Sequence, residues 1–401
     1  MKANNRGNPE IHTDGMWDEG AERHPEPTTD SRTGRPDPDA PPLVSVSMIT
    51  YKHEPYVEEA IRGVLMQETS FAIELIVSND HSPDKTHHVI QSLLLHHPRA
   101  GRVRYIRHNR NLGIMGNALH NLNHCRGTYI AFCEGDDCWT DTKKLQKQVE
   151  QLEKNPSVDL CFHPAQTFFG RQNTNQLFGF QSCRQKRIRT DAVISGGGDF
   201  CPTASILIRK DVFENLAEFL RTTPVGDYFL QVMGSMRGGA IYLPDPMCVY
   251  RRGTPFSWTT DMQSIRRRKD FFELIFESLK RFDEFLGHAK SGPLNLEIER
   301  QYLHLSLTYI SHGMLADYRA LYETFKRRHS ISTRVKILYK VGLRSRSERL
   351  TREFDRWIFA RPNPFSRAIR SFAKAVYQIR SASPTPRHQP PNRILTSRSI
   401  Q

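Results

Sequence analysis

Residues 43–78 read LVSVSMITYKHEPYVEEAIRGVLMQETSFAIELIVS. The runs at the two ends, 43–50 and 73–78, are short, apolar and rich in β-branched residues, so each reads as a buried strand. Between them Val57, Ala60, Ile61, Val64 and Leu65 fall on one face of a helix over 54–66. The alternation continues downstream. A helix over 85–97, with Asp84 as its N-cap, precedes a short strand VRYIR at 103–107. Asn111-Leu112-Gly113 marks a turn before a helix near 114–124, and TYIAFC (128–133) is a fourth strand. A polar helix over 142–154, capped by Thr140 or Asp141 and stopped before Pro156, leads to the strand VDLCFH at 158–163. Repeats of this length predict an α/β domain whose mostly parallel sheet is covered by helices on both faces. Right-handed crossovers then bring the strand C-termini to one edge, where such sheets bind ligands.

Outside this stretch the chain changes character three times. Residues 1–42 hold 7 Pro, 9 Asp/Glu and 7 apolar residues without periodicity, the composition of a disordered extension. From 166 to 258 the signal is mixed. Strands are expected at 205–210 and 240–243, helices at 211–221 and 227–237, and a flexible loop at SGGGD, 195–199. After 259 the apolar positions recur at helical spacing over 261–287 and 296–329. Four zones result: the extension 1–42, an α/β domain 43–258, a helical extension 259–330 and a basic tail 331–401. In the tail, FDRWIF (354–359) and FSRAIRSFAKAVYQIR (365–380) are amphipathic, and suit either an interfacial helix or one that packs on the body.

The 401 residues carry a net charge of +14, unevenly placed. Residues 321–401 hold 19 Lys/Arg against 4 Asp/Glu, whereas the other 320 residues hold 38 against 39. A near-neutral body therefore bears a tail of +15 (19 minus 4) that is drawn to anionic surfaces, lipid or nucleic acid, or simply keeps the chain soluble. The tail is punctuated by Pro and Ser and shows no nucleic-acid motif, which favours the membrane surface. No apolar run approaches the ~18 residues of a spanning helix, and MKANNRGNPE lacks the apolar core of a secretory signal. Seven Cys without CxxC pairs fit a reducing compartment. The chemistry-bearing residues gather at the expected strand ends. CEGDDCW (133–139) puts three carboxylates after the fourth strand, a costly arrangement unless they face water or a cation. Glu134 and Asp136, two apart, share one side of an extended chain and suit Mg²⁺ or Mn²⁺; the competing reading is an acidic turn before a helix. Thr50-Tyr51 and Asn79-Asp80-His81-Ser82 close the first two strands and can recognise a base or ribose, or serve as ordinary turns. Asp227, in PVGDYFL, opens an apolar helix and is either its N-cap or a general base. Tyr250-Arg251-Arg252 can hold a diphosphate or be surface charge.

Taken in order, VSVSMITYKHEPYVEEAIRGVLMQ, ELIVSNDHSPD and NRNLGIMGNALHNLNHCRGTYIAFCEGDDCWTDTKKLQKQ closely resemble the opening half of family 2 glycosyltransferases. CPTASILIRKDVF and VGDYFLQVMGSMRGGAIYLPDPMCVYRRG resemble the acceptor-side half of the same domain, so the resemblance spans about 43–258. It implies the GT-A (Rossmann-like) fold, a nucleotide-sugar donor with UDP-sugars favoured, a divalent cation and inversion at the anomeric carbon. It also implies a glycan or lipid-linked acceptor in surface polysaccharide synthesis; the basic tail and the start of the chain place the expected site in the cytoplasm, peripheral on the inner face of the membrane. By position, Thr50, Tyr51 and Glu54 belong to the nucleotide pocket, and Asn79-Asp80 match the base-binding acids, with Asn where Asp is commoner. Glu134-Gly135-Asp136 match the family's DxD, with Asp136 as metal ligand and Asp137 on the sugar side. Asp227 matches the catalytic base, and Arg252 stands where relatives often carry His. The alternative reading is a non-catalytic binding protein on the same fold, held at the membrane by its basic tail.

Overall fold

A computed structural model of the chain describes residues 41–328, apart from 256 and 263. Most of the expected N-terminal extension and all of the basic tail, 331–401, lie outside the described residues. β1 (Val44–Thr50) and β2 (Ile73–Asn79) run parallel, with Val44 opposite Ile73 and Thr50 opposite Asn79, and flank α1 (Val57–Leu65). α2 (Thr86–His96), β3 (Val103–Arg107), α3 (Gly113–Leu122) and β4 (Tyr129–Phe132) continue the alternation. Asp84 accepts the Thr86 amide at 3.1 Å and so satisfies the first amide of α2, although Lys85 takes the cap position itself. The two-residue strand β5 (Cys138–Trp139) precedes α4 (Lys144–Glu153) and β6 (Leu160–Phe162).

The mixed zone holds more strand than its sequence pattern reveals. β7 (Ala165–Phe169) and β8 (Gln172–Phe178) form a hairpin, and β9 (Lys186–Ile188) follows. Then come α5 (Thr190–Gly196), β10 (Leu207–Arg209), α6 (Lys210–Leu220), α7 (Asp227–Met236), β11 (Ala240–Tyr242) and β12 (Cys248–Arg252). The stretch read as a loop from 195 is helical as far as Gly196; the chain turns at Gly197, whose φ of +67° favours glycine. The helical region comprises α8 (Trp258–Asp261), α9 (Ile265–Phe285), α10 (Ser291–Ser311) and α11 (Leu315–Arg328). The run read as continuous over 296–329 is broken near Gly313, at φ +69°.

An eight-stranded sheet has the order β3-β2-β1-β4-β10-β6-β11-β9, and only β10 and β9 run against the other strands. β5, β12, β7 and β8 form a second, four-stranded sheet. The architecture is the expected mixed, mostly parallel sheet flanked by helices, followed by a helical C-terminal region. One face of the main sheet packs Val46, Met48, Leu75 and Val77 against α1 and α4. The other packs Ile130, Leu160 and Ile208 in a core that takes in α6, α7 and the long α9–α11 helices. Phe282 of α9 lies 5.2 Å from Phe219 and 5.0 Å from Phe229 between ring centres, so the helical region and α7 share one aromatic cluster. All seven cysteines are free. Among the described residues no helix is long and apolar enough to cross a membrane.

Lys144 is fully buried at the start of α4. Its Nζ sits 4.1 Å above the centre of the Trp139 ring and donates to Gln148 Oε1 at 2.7 Å. Burial pulls its pKa down to about 8 from 10.5, a net cost of about 3 kcal/mol for the charged form at neutral pH. Between pH 8 and 10.5 the folded state releases this proton before the unfolded state does, so this contribution to stability rises with pH in that window. Lys144→Met is expected to match or exceed the wild-type melting temperature at pH 7, and its advantage should shrink as the pH is raised to about 10. Denaturation scans of both proteins across this range measure the difference.

Candidate active site

The parallel register carries the ends of β1, β2 and β4 to one edge, and a cavity of about 730 Å³ opens there. Thr50, Asp80, Glu134, Asp136, Asp137 and Asp227 all line it. Beyond β4 the chain stays pinned to β1: the Cys133 amide donates to Ser47 O at 3.1 Å, and the Gly135 amide to Ile49 O at 3.0 Å. The Asp137 amide then turns back onto Glu134 O at 3.0 Å. This tight turn leaves no room at its centre. A Cβ on Gly135 would lie 2.6 Å from Thr50 Oγ1 and 2.8 Å from His53 Nδ1.

The carboxylates are balanced unequally. Asp137 is buried, and its Oδ1 accepts the Arg251 amide at 2.9 Å. The Arg251 guanidinium donates to Asp136 O and to Glu59 Oε2, both at 2.6 Å. Even so, burial first, then Asp136 and Glu134, hold the Asp137 carboxyl well above its usual range. Asp136 accepts from Thr254 Oγ1 at 3.1 Å and faces His53 Nε2 at 3.8 Å. Burial, with Asp136 and Asp227 close by, pushes Glu134 up to about 8. Asp227 opens α7, its Oδ1 accepting the Tyr228 amide at 2.8 Å. Burial raises its pKa too, a shift that Asp199 reinforces and the hydrogen bonds from Tyr228 and Thr203 oppose.

Asn79, Glu54 and Arg252, assigned to the donor site by position, do not line the cavity, and neither do His81 and Ser82. Asn79 is fully buried; its amide donates to Tyr105 OH at 3.0 Å and its Oδ1 accepts the Ser82 amide at 2.9 Å. Glu54 accepts the Lys85 amide at 3.1 Å and thereby ties the segment after β1 to the start of α2. Arg252 is exposed, while its neighbour Arg251 lines the cavity. Tyr51 lines it as well. The sequence pattern does not single out His53, Asn111, Thr203 or Thr254, which also line the cavity or bond to its carboxylates. The one local signal for His53 is its closeness to Tyr51, and the other three reach the site through the fold. Asn111 donates to Asp80 O at 3.2 Å, and the Leu112 amide donates to Asp80 Oδ1 at 2.6 Å, so the loop before α3 fixes the end of β2.

The donor set suits a hard divalent cation. Glu134 and Asp136 offer carboxylate oxygens whose mutual repulsion a cation would relieve, and Thr50 Oγ1 is a buried hydroxyl without a hydrogen-bond partner beside them. Among the described residues no three His, Cys, Asp or Glu side chains form a ready-made ligand set. A cation here would therefore complete its shell with phosphate oxygens and water. The contact at Gly135 yields a direct test. Gly135→Ala is expected to lose about 1–3 kcal/mol of stability through overpacking, whereas Gly101→Ala, whose Cβ would meet nothing within 4 Å, should change little. Chemical denaturation of the two variants measures the contrast.

Comparison with known proteins adds to this geometry. A family model described as Glycosyl transferase family 2 matches residues 45–217. An uncharacterized protein of Mycobacterium tuberculosis is 32% identical over 262 residues, which cover 65% of this chain and 69% of that protein. TuaG of Bacillus subtilis, a putative teichuronic acid biosynthesis glycosyltransferase, is 33% identical over 109 residues, 27% of this chain and 41% of its own. A solved structure of a mannosyltransferase from Pyrobaculum calidifontis, in complex with GDP-Man and Mn²⁺, aligns at a TM-score of 0.46 and 17% identity over 87% of this chain and 90% of that one. With the acidic turn, the strand-end cavity and a matched segment that begins in β1 and ends in α6, the chain belongs to glycosyl transferase family 2.

Proposed function

We propose that this glycosyltransferase is metal-dependent, and that it moves a hexosyl group from a nucleotide sugar to an acceptor hydroxyl with inversion of the anomeric carbon. The observation that carries this reading is the meeting of Asp80, Glu134, Asp136, Asp137 and Asp227 around one cavity. Thr50, Tyr51 and Asp80 form the nucleotide end, and a UDP-sugar is the favoured donor on the family resemblance. Glu134 and Asp136 would hold the divalent cation, which when bound neutralises the diphosphate and stabilises charge on the leaving group. Asp137 faces the donor sugar.

Asp227 is the general base. Its carboxylate takes the proton of the acceptor hydroxyl as that oxygen attacks the anomeric carbon from the face opposite the diphosphate. The new C–O bond forms as the bond to the diphosphate breaks, and the nucleoside diphosphate leaves with the electron pair. One displacement gives inversion. The raised pKa of Asp227 makes it a stronger base than an exposed carboxylate. The teichuronic acid role in the name of the Bacillus subtilis relative supports a part in building surface polysaccharide. The +15 charge of residues 321–401 (19 minus 4) supports a cytoplasmic site of action at an anionic membrane face.

A thermal-shift panel of nucleoside diphosphates, with and without Mn²⁺ or Mg²⁺, tests the donor site. One nucleotide should raise the melting temperature only with metal, and Asp136→Ala should abolish that rise. No shift with any nucleotide would sink the assignment. Asp227→Asn should keep the shift and lose about 10²–10⁴-fold in turnover, the usual worth of a general base. In the wild type kcat/KM should fall on the acid side with a midpoint above the ordinary carboxylate value of 3.8, because Asp227 must be ionised to act.

A further inference from the structure

The cavity has a second kind of lining that the donor chemistry does not use. Ile114, Met115 and Leu119 of α3 face it together with Leu220, Val225 and Leu230 from the α6–α7 region. This apolar lining reaches the base. A Cβ on Gly226, the residue before Asp227, would lie 3.2 Å from Met115 Cε. At the outer end Ile114 is 58% exposed and Trp258 38% exposed, so large apolar surface stands in water beside the cavity. A nucleotide diphosphate needs polar partners, and the strand ends supply them. A bare glycan laid along Ile114, Met115 and Leu119 would lose water from its hydroxyls and gain no hydrogen bonds from those side chains.

We propose that the acceptor is amphipathic: a sugar hydroxyl at Asp227 joined to an aliphatic chain that lies along Ile114, Met115, Leu119 and Val225. The inference rests on the transferase reading above and narrows its acceptor to an alkyl-bearing glycoside. Met115 suits this task, since its unbranched thioether adapts to a flexible chain. Each buried methylene adds favourable transfer free energy, so affinity should grow with chain length until the wall is covered.

The test uses the full chain, Mn²⁺, and UDP-glucose, UDP-N-acetylglucosamine and GDP-mannose as donors. Matched methyl and octyl glucosides and mannosides, kept below micelle concentration, are the acceptor probes. Release of nucleoside diphosphate is followed, so that either stimulation by transfer or suppression of donor hydrolysis reports binding. The octyl compounds are expected to half-saturate at a concentration at least tenfold below their methyl partners. Ile114→Asn should reduce that ratio at least fivefold, while Leu95→Asn, at an 81% exposed position of α2 outside the cavity lining, should preserve it. Equal half-saturation by octyl and methyl compounds, or a ratio that survives Ile114→Asn, overturns the amphipathic acceptor and leaves the transferase reading standing. No release of nucleoside diphosphate from any donor overturns both.

Discussion

The structure turns on crowding carboxylates at the end of β4 while keeping them in reach of solvent and ligand. Asp137 is anchored by the Arg251 amide, and Arg251 in turn is anchored by Glu59. Glu134 lacks any such cation among the causes of its shift, which are burial, Asp136 and Asp227, all in the direction of protonation. A fold selected only for stability would not place these groups together. Positive charge entering the cavity would relieve this repulsion.

Holding Asp227 against this cluster is the work of elements distant in sequence. α7 packs between the main sheet and the helical region, and Tyr228, beside Asp227, points its hydroxyl toward Ile194 O at 3.4 Å. The end of α5 is met from the other side by α10, where Arg300 pairs with the buried Glu297 through two contacts of 2.6 Å. Gly197 lets Arg300 approach: a Cβ there would stand 1.8 Å from Nη2. The helices after 258 therefore belong to the same packed body as the wall that carries Asp227.

The strand and helix series from 43 to 163 was legible because each element buries a continuous or periodic apolar set. Val44, Val46 and Met48 announce β1, and Val57, Ala60, Ile61 and Val64 announce α1. The hairpin of β7 and β8 was not legible. QNTNQLF is polar and mostly exposed in β8, an edge strand, so no alternation against a core marks it. The acidic turn and Asp227 could be picked out from local sequence, but their sharing of one cavity depends on crossovers that no local pattern encodes. Arg251 and Arg252 show the same limit. Neighbours in a strand point to opposite faces, yet only the pairing of β12 with β5 and β7 decides which of the two turns inward.

Asn79 shows how a motif position answers to its surroundings. It is fully buried next to Asp80, which is itself 3% exposed and bonded to the Leu112 amide. A second carboxylate there would stand beside the first without water to screen the pair. The amide avoids that repulsion and uses both of its functions, donating to Tyr105 OH and accepting from the Ser82 amide. Tyr105 OH also lies 2.9 Å from His87 Nδ1, so the amide completes a chain that a carboxylate could enter only by reversing the tyrosine's role. At this strand end the departure from two acids leaves one carboxylate, Asp80, lining the cavity, and converts its neighbour into part of the frame that holds it.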